Sequence, residues 1–118
     1  MQPPALYLSW KAGRKIETPE AATWAEGLTT RVPFDLTFGI IREHIDEIIL
    51  VSEEEMRQGV PSPPEAAHQL AEPAGAAPAA AARKLRDRLR GQTVVLIVSG
   101  CNITVDQLRR VLTDAPAG

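Results

Sequence analysis

Cysteine is almost absent from this 118-residue chain: Cys101 stands alone, so no internal disulfide forms and the cysteine framework of a small secreted domain is excluded. Aromatic residues are also scarce, at 4%, so any core must be aliphatic. No apolar run approaches the roughly 20 residues needed to cross a bilayer. Charge of one sign is lacking too. Thirteen Lys and Arg against fifteen Asp and Glu leave a net charge of −2, which provides no general attraction to phosphate backbones or anionic lipids. Nucleic acid and membranes are therefore not expected partners. The first fifteen residues, MQPPALYLSWKAGRK, lack the basic start and long apolar stretch of a secretory signal, which points to a reducing cytoplasm. The length leaves room for one compact domain with a modest core, not a large multidomain enzyme. What is present is globular in character: hydrophobic residues make up 44% and charged residues 24% of the chain, and there is no internal repeat.

Local signals give an alternation of helices and strands. Thr18-Pro19-Glu20 has the residue order of a helix start, predicting a short helix to about Leu28. After Pro33, Phe34, Phe38, Ile41 and Ile45 recur at helical spacing with Arg42, Glu43 and His44 elsewhere on the wheel. Ile48-Ile49-Leu50-Val51 reads as a buried strand, near 46–51, that feeds a helix opened by the capping box Ser52-x-x-Glu55. That helix should stop near Gln58 and restart near Glu65, because Pro61, Pro63 and Pro64 break it in a Pro-interrupted region over 59–65. Between Ala71 and Ala82 eight of twelve residues are alanine, a composition that permits close backbone approach to a neighbour or ligand. Arg83 to Arg90 continues as helix with Leu85 and Leu89 inward, ended by Gly91. Thr93 to Val98, TVVLIV, is the clearest strand, near 93–98, of the kind buried on both faces of a parallel sheet. Thr104-x-x-Gln107 then caps a helix with Val105, Leu108, Val111 and Leu112 inward. The fold class expected is α/β, a partial parallel sheet with flanking helices forming a single domain over residues 1–118.

Ligands of open parallel sheets bind beyond the carboxyl ends of the strands. Ser99-Gly100-Cys101-Asn102 occupies that place after the best strand; an ordinary strand-to-helix turn has the same composition. Residues 97–103, IVSGCNI, resemble the SGGN segment of threonine and serine dehydratases, in the fold-type II family of pyridoxal-phosphate enzymes. Glu72-Pro73-Ala74-Gly75-Ala76 is similar to that family's EPSGA segment. Thr23-Trp24-Ala25-Glu26-Gly27-Leu28 resembles its TxADG/TxAEG segment, and residues 45–55, IDEIILVSEEE, its VDDxxxVSEEE stretch. Four segments in the family's order run through the sequence.

That resemblance implies a C-terminal part of such an enzyme and a set of roles. Ser99 would hydrogen-bond the pyridine nitrogen of pyridoxal phosphate, and a hydroxyl is too weak an acid to protonate it. The neutral ring favours prompt loss of a β-hydroxyl, the elimination that turns threonine or serine into a 2-oxo acid and ammonia. Gly100 would let the backbone approach the ring, and Asn102 would fix the turn through local hydrogen bonds. Glu72 corresponds to the family's carboxylate near the cofactor; a helix-start acid ahead of Pro73 is the plain alternative. Glu26, with Glu20 nearby, matches an acidic position that binds a divalent cation in some relatives, although two glutamates do not complete a hard-cation site and an exposed acid explains them equally. His44, His68 and Cys101 lack metal-site spacing. The run Glu53-Glu54-Glu55 suits helix-start electrostatics, and Arg83, Lys84, Arg86 and Arg90 a solvated helix face.

Two parts that such an enzyme needs are not in this sequence: a lysine for the Schiff base and a Gly-rich loop for the phosphate. Lys11, Lys15 and Lys84 are the only lysines, and none has an SFKxRG-like context. Pro61, Pro63, Pro64 and Pro78 fall where relatives run continuous helix, each costing about 3 kcal/mol in a helix interior, and Cys101 stands where relatives have Gly or Ala. The expectation is a fragment or subunit that is inactive alone, joined in function to an N-terminal partner polypeptide or to a homo-oligomer and acting on a small amino acid. The alternative is a non-catalytic interaction or regulatory module on the same scaffold. Either leaves an unpaired strand edge, which favours self-association.

Overall fold

In the computed structural model, residues 4–60 and 68–114 are described, with the backbone alone at Asp114. Among the described residues five α-helices are formed, α1 (Ala5–Ala12), α2 (Asp35–His44), α3 (Glu53–Gly59), α4 (Pro73–Lys84) and α5 (Val105–Asp114), with a 3-10 turn at Glu26–Leu28. The chain groups into two compact units, Met1–Thr23 with Leu28–Leu50, and Trp24–Gly27 with Val51–Gly118.

In the first unit α1 contacts α2. Helix α1 has no side-chain cap at its start and ends at Gly13, whose φ of 69° supplies a left-handed stop and whose N–H donates to the Trp10 carbonyl. Ser9 is fully buried inside it. Its hydroxyl remains satisfied, accepting from the Ile16 N–H at 2.8 Å and donating to the Ile16 carbonyl at 3.3 Å. The helix expected after Thr18 does not form. Thr18 instead pairs with Arg31: its N–H donates to the Arg31 carbonyl at 2.9 Å, and Arg31 Nε donates to the Thr18 carbonyl at 3.0 Å. A residue committed to a partner thirteen positions away cannot cap the next turn. Helix α2 forms as its periodicity predicts, but only Phe38 of the stripe is buried and Ile41 half-buried; Phe34 and Ile45 remain exposed.

The second unit is built on α3 against α4. The expected capping box opens α3: Glu55 N–H donates to Ser52 Oγ at 3.1 Å and Ser52 N–H donates to Glu55 Oε2 at 2.6 Å. Three carboxylates in the first turn complement the positive end of the helix. The restart near Glu65, with Pro61, Pro63 and Pro64, lies outside the described residues. Small residues let the helices close: a Cβ on Gly59 would stand 3.0 Å from Ala80 Cβ and 3.1 Å from the Ala80 nitrogen. Helix α4 runs through Pro78 without interruption. Pro78 removes the N–H that would bond the Ala74 carbonyl, and burial of Ala76, Ala79 and Ala80 offsets that loss. Val60, Ala71, Ala76 and Val111 form the core, with Trp24 and Ile103 packed against it.

Helix α4 ends at Lys84, earlier than expected. Residues 85–91 follow as hydrogen-bonded turns, Leu89 N–H to the Leu85 carbonyl and Gln92 N–H to the Leu89 carbonyl, with Gly91 at φ 76°. Leu85 and Leu89 are half-buried. The strands expected near 46–51 and 93–98 are not formed among the described residues. Val95 and Ile97 are 84% and 72% exposed, while Val94, Leu96 and Val98 are 41–43% exposed. The two-residue alternation of an extended chain is therefore present, but burial on both faces is not. A strand is defined by its ladder, and no neighbouring strand among the described residues supplies one. The box at Thr104 forms, with Gln107 N–H donating to Thr104 Oγ1 and Thr104 N–H to Gln107 Oε1. Of its inward set Val111 is buried and Leu108 half-buried, whereas Val105 and Leu112 are 71% and 56% exposed for want of a facing layer.

Candidate functional site

The second unit brings the 72–76 and 97–103 segments together at the N-terminal end of α4. Pro73 begins that helix, as suits a residue with no N–H to satisfy. Glu72, just ahead of it, donates its backbone N–H to the Gly100 carbonyl at 3.0 Å. Its side chain makes no capping bond. The carboxylate instead lies over the Gly100 α-carbon, filling the place a Cβ would take. One turn along the helix, Gly75 faces the Gly100 backbone from the other direction. The 99–102 turn is thus held through Gly100, and Ile103 N–H donates to the Cys101 carbonyl at 2.8 Å to close it.

This backbone clamp leaves the turn's side chains facing outward. Ser99, Cys101 and Asn102 are exposed and Gly100 is half-buried. The turn is fixed by backbone bonds of Gly100 and Cys101, and the Asn102 side chain is exposed beside them. A hydroxyl and an amide are thus exposed on a turn held beside the N-terminus of α4 and the Glu72 carboxylate.

The segment containing Glu26 docks on the same helix: a Cβ on Gly27 would meet Ala74 Cβ at 3.0 Å. Trp24 N–H donates to Glu53 Oε2 at 3.4 Å, and the Arg57 guanidinium lies 5.6 Å from the Trp24 ring centre. Trp24 Nε1 and Glu53 Oε1 are buried without a hydrogen-bond partner among the described residues. Helix-start charge alone does not foretell the Glu53 contact with Trp24, whereas the close backbone approach expected of the small residues around Gly75 is made, to Gly100. Glu26 and Glu20 are both exposed and fall in different units. Among the described residues no group of three or more His, Cys, Asp or Glu side chains is placed to hold a metal ion, so nothing completes a cation site around them.

The basic face is more than a solvated surface. Arg83 Nη1 donates to the Gln58 carbonyl at 2.6 Å, and Lys84 pairs with Glu55 at 3.1 Å. These contacts border a groove of about 320 Å³ lined by Glu55, Gln58, Ala80, Arg83, Lys84 and Arg86. None of the turn residues lines it. The Ser52 N–H holds the Glu55 carboxyl below its ordinary value against the opposing effect of burial, with Lys84 adding to the lowering. No helix among the described residues is long and apolar enough to cross a membrane.

Comparison with known proteins shows what the chain as a whole resembles. The chain is 33% identical over 109 residues to an L-threonine ammonia-lyase of Thermotoga maritima, covering 92% of this chain and 27% of that one. It is 37% identical over 111 residues to the L-threonine ammonia-lyase of Geobacter sulfurreducens, again covering 27% of it. The crystal structure of a T.th. threonine deaminase superposes with a TM-score of 0.77 at 35% identity, over 85% of this chain and 36% of that one. The chain therefore spans about a quarter of the length of these curated relatives. The family model described as pyridoxal-phosphate dependent enzyme matches residues 2–100, and with the Glu72, Gly75 and Gly100 contacts in place the chain belongs to the pyridoxal-phosphate-dependent enzyme family.

Proposed function

We propose that this chain is the C-terminal fragment or subunit of a cytoplasmic threonine/serine dehydratase, an ammonia-lyase forming 2-oxo acids, and that it is inactive alone. The supporting observation is the clamp at Gly100: it fixes the backbone of the 99–102 turn while leaving Ser99 and Asn102 exposed. These residues fit the ring end of pyridoxal phosphate. Ser99 would donate its hydroxyl proton in a hydrogen bond to the pyridine nitrogen without transferring it. Gly100, with no side chain on its outer face, would admit the ring, and Asn102 would supply an amide beside it. The Glu72 carboxylate, over Gly100, would keep a negative charge at the turn. When bound, the cofactor draws electrons from the amino acid so that its β-hydroxyl can leave. The Schiff-base lysine and phosphate loop would come from a partner polypeptide. The chain would then form one part of a single α/β domain whose sheet is completed by that partner.

The reading is tested in two steps. Purified chain mixed with pyridoxal phosphate and threonine should form no 2-oxobutanoate; robust turnover refutes the claim of inactivity. Paired with a polypeptide carrying an SFKxRG-type lysine, it should bind pyridoxal phosphate. Ser99→Ala should weaken that binding about fivefold, as expected for one lost hydrogen bond of about 1 kcal/mol. An affinity unchanged by Ser99→Ala refutes the ring-end assignment. Lys84, tied to Glu55 away from the turn, supports a second reading as a non-catalytic module. That reading gains if no partner confers cofactor binding.

A further inference from the structure

The geometry points to Gly75 as a positioning residue that sets where the 99–102 turn stands. A Cβ on Gly75 would lie 2.6 Å from the Gly100 oxygen, 2.9 Å from its nitrogen and 3.3 Å from its carbonyl carbon. The first two distances are below the 3.0 Å that real Cβ contacts respect. All three atoms are backbone, so no side chain can rotate away. They are also pinned, because the Gly100 carbonyl accepts the Glu72 N–H at 3.0 Å.

The glycine is needed for space, since its φ is not in the left-handed region. Glycine inside a helix costs about 1 kcal/mol relative to alanine, and α4 otherwise fills such positions with alanine: Ala74, Ala76, Ala77, Ala79. The contact with Gly100 supplies the reason for the exception. Gly39, by contrast, lies in α2 with nothing within 4 Å of its would-be Cβ. Gly100 is not an equivalent partner either. The nearest atoms its own Cβ would meet belong to the flexible Glu72 side chain, which can rotate aside. Displacement by one methyl group is thus severe at Gly75 and mild at Gly100. Through this Cβ-free contact Gly75 places Ser99 and Asn102, and its value for the cofactor rests on the function proposed above.

Amide hydrogen exchange on the full chain tests the placement without cofactor. Gly75→Ala should speed exchange of the Glu72 amide by about a hundredfold relative to the wild type while the Val60 amide, bonded within the α3 turn, changes far less. Gly100→Ala should leave the Glu72 amide protected. Gly59→Ala, crowded against Ala80 instead, should lower Tm without a selective effect on Glu72. Retained protection of Glu72 in Gly75→Ala, or an equal rise at every amide of the unit, overturns the assignment. If Gly75→Ala does not fold, the wild type decides: a Glu72 amide exchanging at the free-chain rate overturns the assignment, and one protected together with the Ile103 amide supports it. In the partner-paired chain, Gly75→Ala should also weaken pyridoxal-phosphate binding more than tenfold. If the wild-type pair binds none, the cofactor reading fails while the exchange contrast still judges Gly75.

Discussion

Replacing Glu55 should make the stability of the second unit lose part of its pH dependence. Glu55 closes the capping box through Ser52, with bonds of 2.6 and 3.1 Å, and pairs with Lys84 on α4 at 3.1 Å. A lost helix cap is worth about 1 kcal/mol, and a half-exposed ion pair at most about 1 kcal/mol more. Glu55→Ala should therefore destabilise by about 1 kcal/mol at neutral pH, lowering Tm by about 4 °C for a chain of this size. The folded carboxyl is held below its ordinary value of 4.5, chiefly by the Ser52 N–H. It releases its proton more readily folded than unfolded, so its contribution is complete above 4.5 and is lost as pH falls through the lower folded value. Thermal melts of wild type, Glu55→Ala and Glu55→Gln between neutral pH and about pH 3 should show the wild-type advantage over both variants shrinking on acidification. Glutamine can still accept the Ser52 N–H, so Glu55→Gln should fall between the other two at neutral pH. A gap that stays constant or widens in acid refutes this account of the box.

Two further outcomes follow from exposed or partnered groups elsewhere. Val95 and Ile97, 84% and 72% exposed on one side of an extended run, should drive concentration-dependent association in sedimentation experiments. Replacing both with serine should weaken association at least about a hundredfold, since burying each is worth about 1.5 kcal/mol or more; a wild-type chain monomeric at all concentrations removes the argument. In the first unit, Arg31→Ala strips the Thr18 carbonyl of its side-chain donor and should cost about 1 kcal/mol. The Thr18 amide should then exchange faster, and unchanged exchange would show that the Arg31 side chain does not support that pairing.

What could be read from the sequence was what nearby residues decide. The boxes at Ser52 and Thr104 depend on a residue three positions ahead, and both form. Gly91 does take a left-handed φ, but the helix it was expected to end has already stopped at Lys84. Thr18 misled because its partner, Arg31, lies thirteen residues away and takes the groups a helix start would use. The 93–98 run misled about burial, since TVVLIV states only that these side chains suit an interior, and the interior needs neighbouring strands. Helix α1 escaped notice because its start has no polar cap and its buried face includes a serine satisfied by Ile16. In the candidate site, Glu72, Ser99 and Gly100 were legible through their resemblance to family segments. A close backbone approach at the small residues around Gly75 was legible too, but not its partner, because that partner, Gly100, lies 25 positions on.

That last contact bears on how an extended run without a ladder can lead into a formed turn. In an open α/β fold the turn after a strand is ordinarily located by the strand's own ladder. Here residues 94–98 have no ladder among the described residues and remain at least 41% exposed, yet the following turn is held. The hold comes from the helix side: the Glu72 N–H on the Gly100 carbonyl, the Cβ-free approach of Gly75, and Ile103 packed on the core. The strand and the turn therefore answer to different partners. Loss of strand pairing exposes apolar surface and invites association, but it does not by itself release Ser99 and Asn102 from their places. A chain with this division of labour leaves residues 94–98 to be covered by another apolar surface, while the placing of the 99–102 turn comes from its own residues.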